Sequence, residues 1–509
     1  VPAPNVIPSE PIGSLSDAWR SCVGSGRMNL ALRADVRDAL AVAQREIGFR
    51  RIRGHGLLSD DMGVHRLYDV DGHAGTRYGF AYVDQVIDAL LEAGLDPFLE
   101  LGFMPAALAS GEETVFWWRG NITPPADHAE WARLVSALLR HLIDRYGIEL
   151  VRTWPIEVWN EPNLEQFWVG ADREAYLRLY EATVLAVKDV DAGLEVGGPA
   201  LSPGADDWWL PFADFVARRD LPADFLSFHA YASNPAQHVP FGVYQSMRRG
   251  SDLLRQFARP TEILAGTALA GRPMHVTEFN TSYRPDNPVH DTAYNAAALA
   301  PVLAAGGDHV SSFSYWTVSD TFEEVGVPMS IFHGGFGLLT HRQIPKPTFH
   351  LYAFMARMGG EVLARGDDHL VTRHPDGRVA VLAWQPVGGS DDPEEPERHE
   401  LSLSIPLGSA GIPGSAFLAR AEVDVARGNA FAAWGEMGRP ASPSRRQEEA
   451  LREAAEPVRS HAALPVTGGR VRLDASLGRH GVSLFELSLV ADETPAWVDD
   501  RRILGRSGS

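Results

Sequence analysis

The chain has 509 residues, 45% hydrophobic and 22% charged, values ordinary for a soluble globular protein with a large core. Its length gives a prior of about three domains, although one α/β barrel alone can take about 250 residues. The formal net charge of −20 argues against a grip on nucleic-acid phosphates or an anionic membrane surface, which needs clustered Lys and Arg, and it is compatible with a neutral ligand such as a sugar.

The opening segment, 1–11, is rich in proline and has no apolar h-region. No apolar run approaches the ~18 residues of a membrane span. The first residue is Val1 rather than Met. A cytoplasmic location is favoured, and a periplasmic or secreted one stays open if an upstream signal has been removed. Cys22 is the only cysteine, so no intrachain disulfide is expected.

From residue 19 to residue 359 short apolar strands alternate with helical patterns. The strands are expected at 19–25, 49–56, 97–104, 156–161, 195–201, 224–232, 273–280 and 311–320. Between them the spacing predicts helices. Segment 34–47 sets Val36, Leu40, Ala43 and Ile47 near one face, 82–95 does so with Val86, Ile87, Leu90 and Leu91, and 131–146 with Leu134, Leu138, Leu142 and Ile143. A last helix is expected over 347–358. Eight such units read as a (β/α)8 TIM barrel, with a doubly wound sheet as the alternative. The stretch Gly334-Gly335-Phe336-Gly337 follows no early strand and reads as a plain loop rather than a phosphate turn.

After residue 360 short runs at 370–372, 378–384, 401–405, 470–473 and 482–489 look like antiparallel strands. Segment 445–456 looks helical and solvent-facing, and the acidic stretch 391–397 reads as a solvated loop. The expected division is a barrel over 14–359, an accessory β-sandwich from 360–425 and 465–495, and a helical insertion over 426–464.

Barrel enzymes place their chemistry where strands end. The fourth strand reads Ile156-Glu157-Val158-Trp159-Asn160-Glu161-Pro162, and the seventh Met274-His275-Val276-Thr277-Glu278-Phe279-Asn280. Each finishes in a carboxylate, which needs a partner or a purpose when buried. One such glutamate alone reads as a structural ion pair. Two of them, over one cavity, match glycoside hydrolysis, where a protonated carboxyl serves the departing oxygen and an ionised one attacks the anomeric carbon or activates water. Tyr231 and His229, at the end of strand six, can supply hydrogen bonds to the charged member.

These residues resemble glycoside hydrolase family 39, and its bacterial β-xylosidases in particular. The resemblance runs through Arg53-Gly54-His55-Gly56-Leu57-Leu58-Ser59-Asp60-Asp61, Glu157 to Leu164, Glu278-Phe279-Asn280-Thr281-Ser282-Tyr283, Asn287-Pro288-Val289-His290-Asp291-Thr292, Ser314-Tyr315-Trp316-Thr317, Phe332 to Gly337, and Gly435-Glu436-Met437-Gly438-Arg439-Pro440. A lone Asn-Glu-Pro is shared by many barrel glycosidases; the ordered set is far more specific. It implies a catalytic barrel, a β-sandwich to which the N-terminal residues 1–13 also contribute, and a small α/β element. It implies a retaining double displacement with Glu161 as acid/base and Glu278 as nucleophile. Phe228 stands where an Arg is expected, and Phe279 where a Tyr is common. Strand alternation turns both away from the cavity.

Asn160 is expected to bond the sugar 2-hydroxyl, or else its own backbone. His229 and Tyr231 read as cavity residues or as core residues with satisfied tips. Arg53 and His55 share i, i+2 spacing at the end of strand two; both are expected to contact sugar hydroxyls or the nucleophile, with Arg53 pairing to Glu157 inside the barrel as the alternative. Tyr283 follows the nucleophile. The resemblance has Glu323 and Glu324 accepting from sugar hydroxyls, where a surface acidic pair is the default. Trp316, with Phe116, Trp117, Trp118 and Phe167, can offer flat faces to a ring, or simply pack. His55, His65 and His73 show no zinc spacing, and neither a metal site nor a cofactor fingerprint is expected.

The substrate expected is a xylo-oligosaccharide, cut from its non-reducing end to release β-D-xylose. α-L-Iduronidase is the nearest rival, but iduronate needs a cation, and the only lysines, Lys188 and Lys346, sit at no strand end. α-L-Arabinosidase activity, a non-catalytic sugar-binding protein and a metal-dependent barrel enzyme are further alternatives. The oligomeric state stays open.

Overall fold

The computed structural model describes residues 4–240, 242–321, 324–408 and 414–490. Eight parallel strands close into a barrel: β1 (Val23–Arg27), β2 (Arg51–His55), β3 (Asp96–Leu101), β4 (Ile156–Val158), β5 (Val196–Leu201), β6 (Phe225–Tyr231), β7 (Met274–Asn280) and β8 (Ser312–Tyr315). β8 pairs with β1 at Tyr315 and Val23, and this closure rules out the open doubly wound sheet. The first strand starts later than its apolar run suggests, because Ala18–Arg20 forms a turn of 3-10 helix that buries Trp19.

The helices after each strand are α1 (Ala34–Glu46), α2 (Ala81–Glu92), α3 (His128–Tyr146), α4 (Arg173–Val190), α5 (Asp206–Arg219), α6 (Asp252–Ile263), α7 (Ala293–Ala305) and α8 (Pro347–Met355). Their apolar stripes face the strands: Val36, Leu40 and Ala43 on α1, and Leu134, Leu138 and Leu142 on α3, are buried. The side chain of Asp127 caps α3 by accepting from the Ala129 amide. Both parity expectations hold. Phe228 meets Trp209 of α5 edge-on at 6.1 Å, and Phe279 meets Phe257 of α6 at 6.0 Å.

The C-terminal third forms β9 (Glu361–Arg365), β10 (His369–Arg373), β11 (Val379–Trp384), β12 (Arg398–Pro406), β13 (Ser415–Val423), β14 (Val458–Thr467), β15 (Arg470–Gly478) and β16 (Val482–Val490). With two short N-terminal strands they make one ten-stranded sheet, in the order Asn5–Val6, β12, β15, β14, β13, β16, β11, β10, β9, Gly13–Ser14. The sheet folds over itself: Leu403 and Leu473 from one half share a dry interior with Val381 and Phe485 from the other. Alternation sends the intervening residues of β11, Ala380, Leu382 and Trp384, into the core of the barrel. This is the accessory β-sandwich.

Between β13 and β14 lie α9 (Ala430–Glu436) and α10 (Arg445–Ala455). α10 is less solvent-facing than its charge suggests, since Leu451 and Ala455 pack with Trp434 against Ile331, Phe332 and Ile344 of the barrel. β14 begins at Val458, so the strand enters the segment assigned to the helical insertion. Of the segments assigned to the sandwich, 1–3, 409–413 and 491–495 lie outside the described residues. The acidic stretch 391–397 is a loop with two anchors: Asp392 pairs with Arg249 at 2.8 Å, and Glu395 accepts from the Gly388 amide. No described helix is long and apolar enough to cross a membrane.

Candidate active site

β4 ends in a strained turn. Trp159 (φ 73°) and Glu161 (φ 44°) both adopt left-handed backbone, at a cost of about 1–3 kcal/mol each. The surroundings hold them there. Trp159 Nε1 donates to the Phe167 carbonyl at 2.9 Å, Tyr176 Oη donates to the Val158 carbonyl at 3.0 Å, and the Glu161 amide donates to the Ala200 carbonyl at 3.0 Å. The result aims the Glu161 carboxyl into the barrel mouth toward Glu278 of β7.

Beneath the pair lies Arg53, fully buried. Its Nε donates to Glu157 at 2.6 Å, its Nη1 to Glu278 Oε1 at 2.8 Å, and its Nη2 to Asn160 Oδ1 at 2.8 Å and to Glu100 at 3.0 Å. Burial disfavours the cation, but the charges of Glu157, Glu100 and Glu278 outweigh burial and hold Arg53 protonated. Both readings of Arg53 are therefore present: it pairs with Glu157 and it reaches Glu278. It does not reach the cavity, so a direct sugar contact is ruled out. Tyr231 Oη donates to Glu278 Oε2 at 2.8 Å, and His55 Nε2 stands 3.5 Å from Oε1. His55 is oriented by Glu100, 2.6 Å from its Nδ1.

Glu161 sits in a different field. Burial pushes its carboxyl up to about 7, against the lowering charges of His55 and Arg53. His229 Nδ1 lies 2.8 Å from Glu161 Oε1 and 3.5 Å from Glu278 Oε2. Burial lowers this imidazole to about 4, so it is neutral in the usual range. A neutral ring can accept from a protonated Glu161 or donate to its carboxylate, and the contact survives either state. The facing atoms of Glu161, His229 and Glu278 lie within 4.8 Å of one another. Among the described residues this trio alone could hold a cation, but the Arg53 charge bonded to Glu278 competes with any ion there.

The pair opens into a cavity of about 880 Å³. Its floor and walls include His55, Asn160, Tyr231, Tyr283, Trp316 and Glu324 among the expected residues, with Phe116 and Phe167. Trp316 leans on His55, with centroids 4.8 Å apart. Gly24 of β1 makes room for this ring, since a Cβ there would lie 2.3 Å from a Trp316 ring carbon. Tyr283 Oη accepts from the Ala236 amide at 2.8 Å. Burial and the charges of Glu278 and Glu161 push the Glu324 carboxyl well up. Glu323 lies outside the described residues.

Other expectations need correction. His229 backs the pair from below the cavity wall and is fully buried. Trp117 is 59% exposed, and Trp118 stacks under the Arg27 guanidinium at 4.2 Å, so neither forms the wall. Loop 334–337 is not plain: Phe336 lines the cavity against Trp316. The lysines stand aside as expected, Lys188 on Asp224 and Lys346 on Asp291 and Asp320. Cations are nonetheless present in the wall as Arg248 and Arg284, so the lysine count says nothing against an acidic ligand. Glu100 was also missed, although Leu99-Glu100-Leu101 carries the same strand-end acid as β4 and β7.

The family model for glycosyl hydrolases family 39 matches residues 5–471. The chain belongs to glycoside hydrolase family 39. Within that family it is 45% identical to a beta-xylosidase of Geobacillus stearothermophilus over 506 residues, 98% of this chain and 99% of that one. It is 36% identical to a beta-xylosidase of Caldicellulosiruptor saccharolyticus over 92% of this chain and 95% of that one. Its structure matches that of a monomeric beta-xylosidase from Caulobacter crescentus with a TM-score of 0.84 at 32% identity, covering 96% of this chain and 100% of that one.

Proposed function

We propose that this family 39 hydrolase is a retaining β-xylosidase that releases β-D-xylose from the non-reducing end of xylo-oligosaccharides. The observation that carries the reading is the Glu161–Glu278 pair, with facing oxygens within 4.8 Å and unlike surroundings. A retaining pair stands about 5–5.5 Å apart and attacks directly, whereas an inverting pair leaves about 6.5–9.5 Å for a water.

Glu161, holding its proton to about 7, donates it to the glycosidic oxygen as that bond breaks. Glu278, whose two oxygens accept from Arg53 and Tyr231, attacks the anomeric carbon and forms a glycosyl-enzyme ester. Glu161 then takes a proton from water, which displaces Glu278 and restores both groups. Asn160 contributes through orientation: Arg53 occupies its Oδ1, so its amide N–H groups are left for the sugar 2-hydroxyl, a contact that tightens in the oxocarbenium-like transition state. Trp316 and Phe336 offer apolar faces for the ring.

A panel of aryl glycosides tests the reading. The β-D-xyloside should be the fastest substrate, and faster turnover of an α-L-arabinoside or α-L-iduronide would replace the assignment. NMR of the first product should show the β anomer. An α product would overturn retention, and xylose binding without turnover would leave only a sugar-binding protein.

A further inference from the structure

Arginines 248, 249, 255 and 259 lie just before α6 and along its first two turns. Three have a carboxylate: Arg249 meets Asp392 at 2.8 Å, Arg255 meets Asp252 at 2.7 Å, and Arg259 meets Asp206 at 2.9 Å. Arg248 has none within ion-pair distance among the described residues. Its Nη2 donates to the Tyr231 carbonyl at 2.6 Å, and its Nε is buried without a partner. In a chain of net charge −20, acids are plentiful, yet this half-buried guanidinium keeps donors free. An unpaired, partly desolvated cation is costly until an anion meets it.

Arg248 stands in the wall of the catalytic cavity beside loop 202–204. Asn163, two residues after Glu161, clamps that loop, with its Nδ2 donating to Ser202 Oγ at 2.7 Å and its Oδ1 accepting from the Ser202 amide. This is therefore the side of the acid, and the leaving group departs on that side because Glu161 protonates its oxygen. Past Arg248 the same loop borders a recess of about 240 Å³ with Trp209, Phe228 and Gln256. Arg284, the other wall cation, is already taken by Asp286 at 2.7 Å.

We infer that Arg248 receives a carboxylate on the leaving-group side, so that the enzyme accepts xylo-oligosaccharides bearing a uronic-acid branch on the xylose next to the scissile bond. The inference rests on the β-xylosidase reading and adds a determinant of specificity to it. The recess gives the branch room, and the guanidinium supplies charge-assisted hydrogen bonds that a neutral oligosaccharide does not use.

The test compares xylotriose with the same trisaccharide carrying glucuronic acid on its middle residue, reading kcat/KM for xylose release by the intact protein. Both should be cleaved. In Arg248→Gln the acidic-to-neutral ratio should fall about tenfold or more, and Arg248→Lys should retain part of it. Added salt should lower the ratio for the parent protein and leave it flat for Arg248→Gln. Because the ratio cancels any disturbance of Tyr231, an unchanged ratio in Arg248→Gln overturns the inference, as does failure of the parent to cleave the branched substrate. No release from unbranched xylotriose would instead overturn the xylosidase reading and the inference with it.

Discussion

Two buried cations sit near the mouth of this barrel, and each is surrounded by more acid than it can neutralise. Arg53 holds Glu100, Glu157 and Glu278; Lys346 holds Asp291 and Asp320 at 2.7 and 2.8 Å. The difference lies in where the acids point. One acid of the Arg53 group, Glu278, opens on the cavity. Both aspartates of the Lys346 group turn to backbone: Asp291 accepts from the Gly334 amide and Asp320 from the Gly337 amide, while Lys346 donates to the Gly335 carbonyl. The first cluster turns a carboxylate toward the cavity, and the second pins the loop that presses Phe336 against Trp316. The same charge arithmetic leaves an acid open to the cavity in one place and fixes a loop in the other.

The largest effect should come from Glu278→Ala, with turnover falling on the order of 10⁴-fold or more. Its unfolding in urea should change little, because Arg53 keeps its other partners. A large loss of stability there would blur the distinction. Glu161→Ala should lose about 10²–10⁴-fold on substrates with poor leaving groups and far less on activated aryl xylosides. Equal losses on both would mean that Glu161 is not the acid.

Lys346→Met should do the opposite of Glu278→Ala. It strands two buried carboxylates, at a cost of about 3–5 kcal/mol in urea unfolding, while the folded fraction keeps turning over. A stable but inactive Lys346→Met protein would break the comparison. The smallest effect is in pH. Since burial raises Glu161 to about 7 and the acid must be protonated to act, kcat/KM on poor leaving groups should be full below that value and fall about tenfold per unit above it. A flat profile up to pH 9 would contradict this.

The barrel and its pair of glutamates are legible in the sequence because the patterns are local: an apolar run, a carboxylate at its end, a helix stripe after it. Legibility fails where the physics is not local. β1 reads Val-Gly-Ser-Gly-Arg and carries little apolar signal, and its Gly24 makes room for Trp316. β14 is exposed over most of its length, so no alternation marks it. Glu100 shares the pattern of the other strand-end acids, but its contacts with Arg53 and His55 exist only once the second and third strands lie side by side. Arg248 and Arg284 come from irregular segments, whose convergence on one wall depends on how the loops after β6 and β7 close over the mouth.

The sheet order has a consequence of its own. Its two margins are not made by the C-terminal third at all: Asn5–Val6 lies along β12 and Gly13–Ser14 along β9. A dozen residues from the start of the chain thus act as bumpers on both outermost strands, hiding amide and carbonyl rows that would otherwise recruit strands from other molecules. Their contribution to the dry interior is small, Ile7 apart. Clipping them would be felt less as melting than as stickiness.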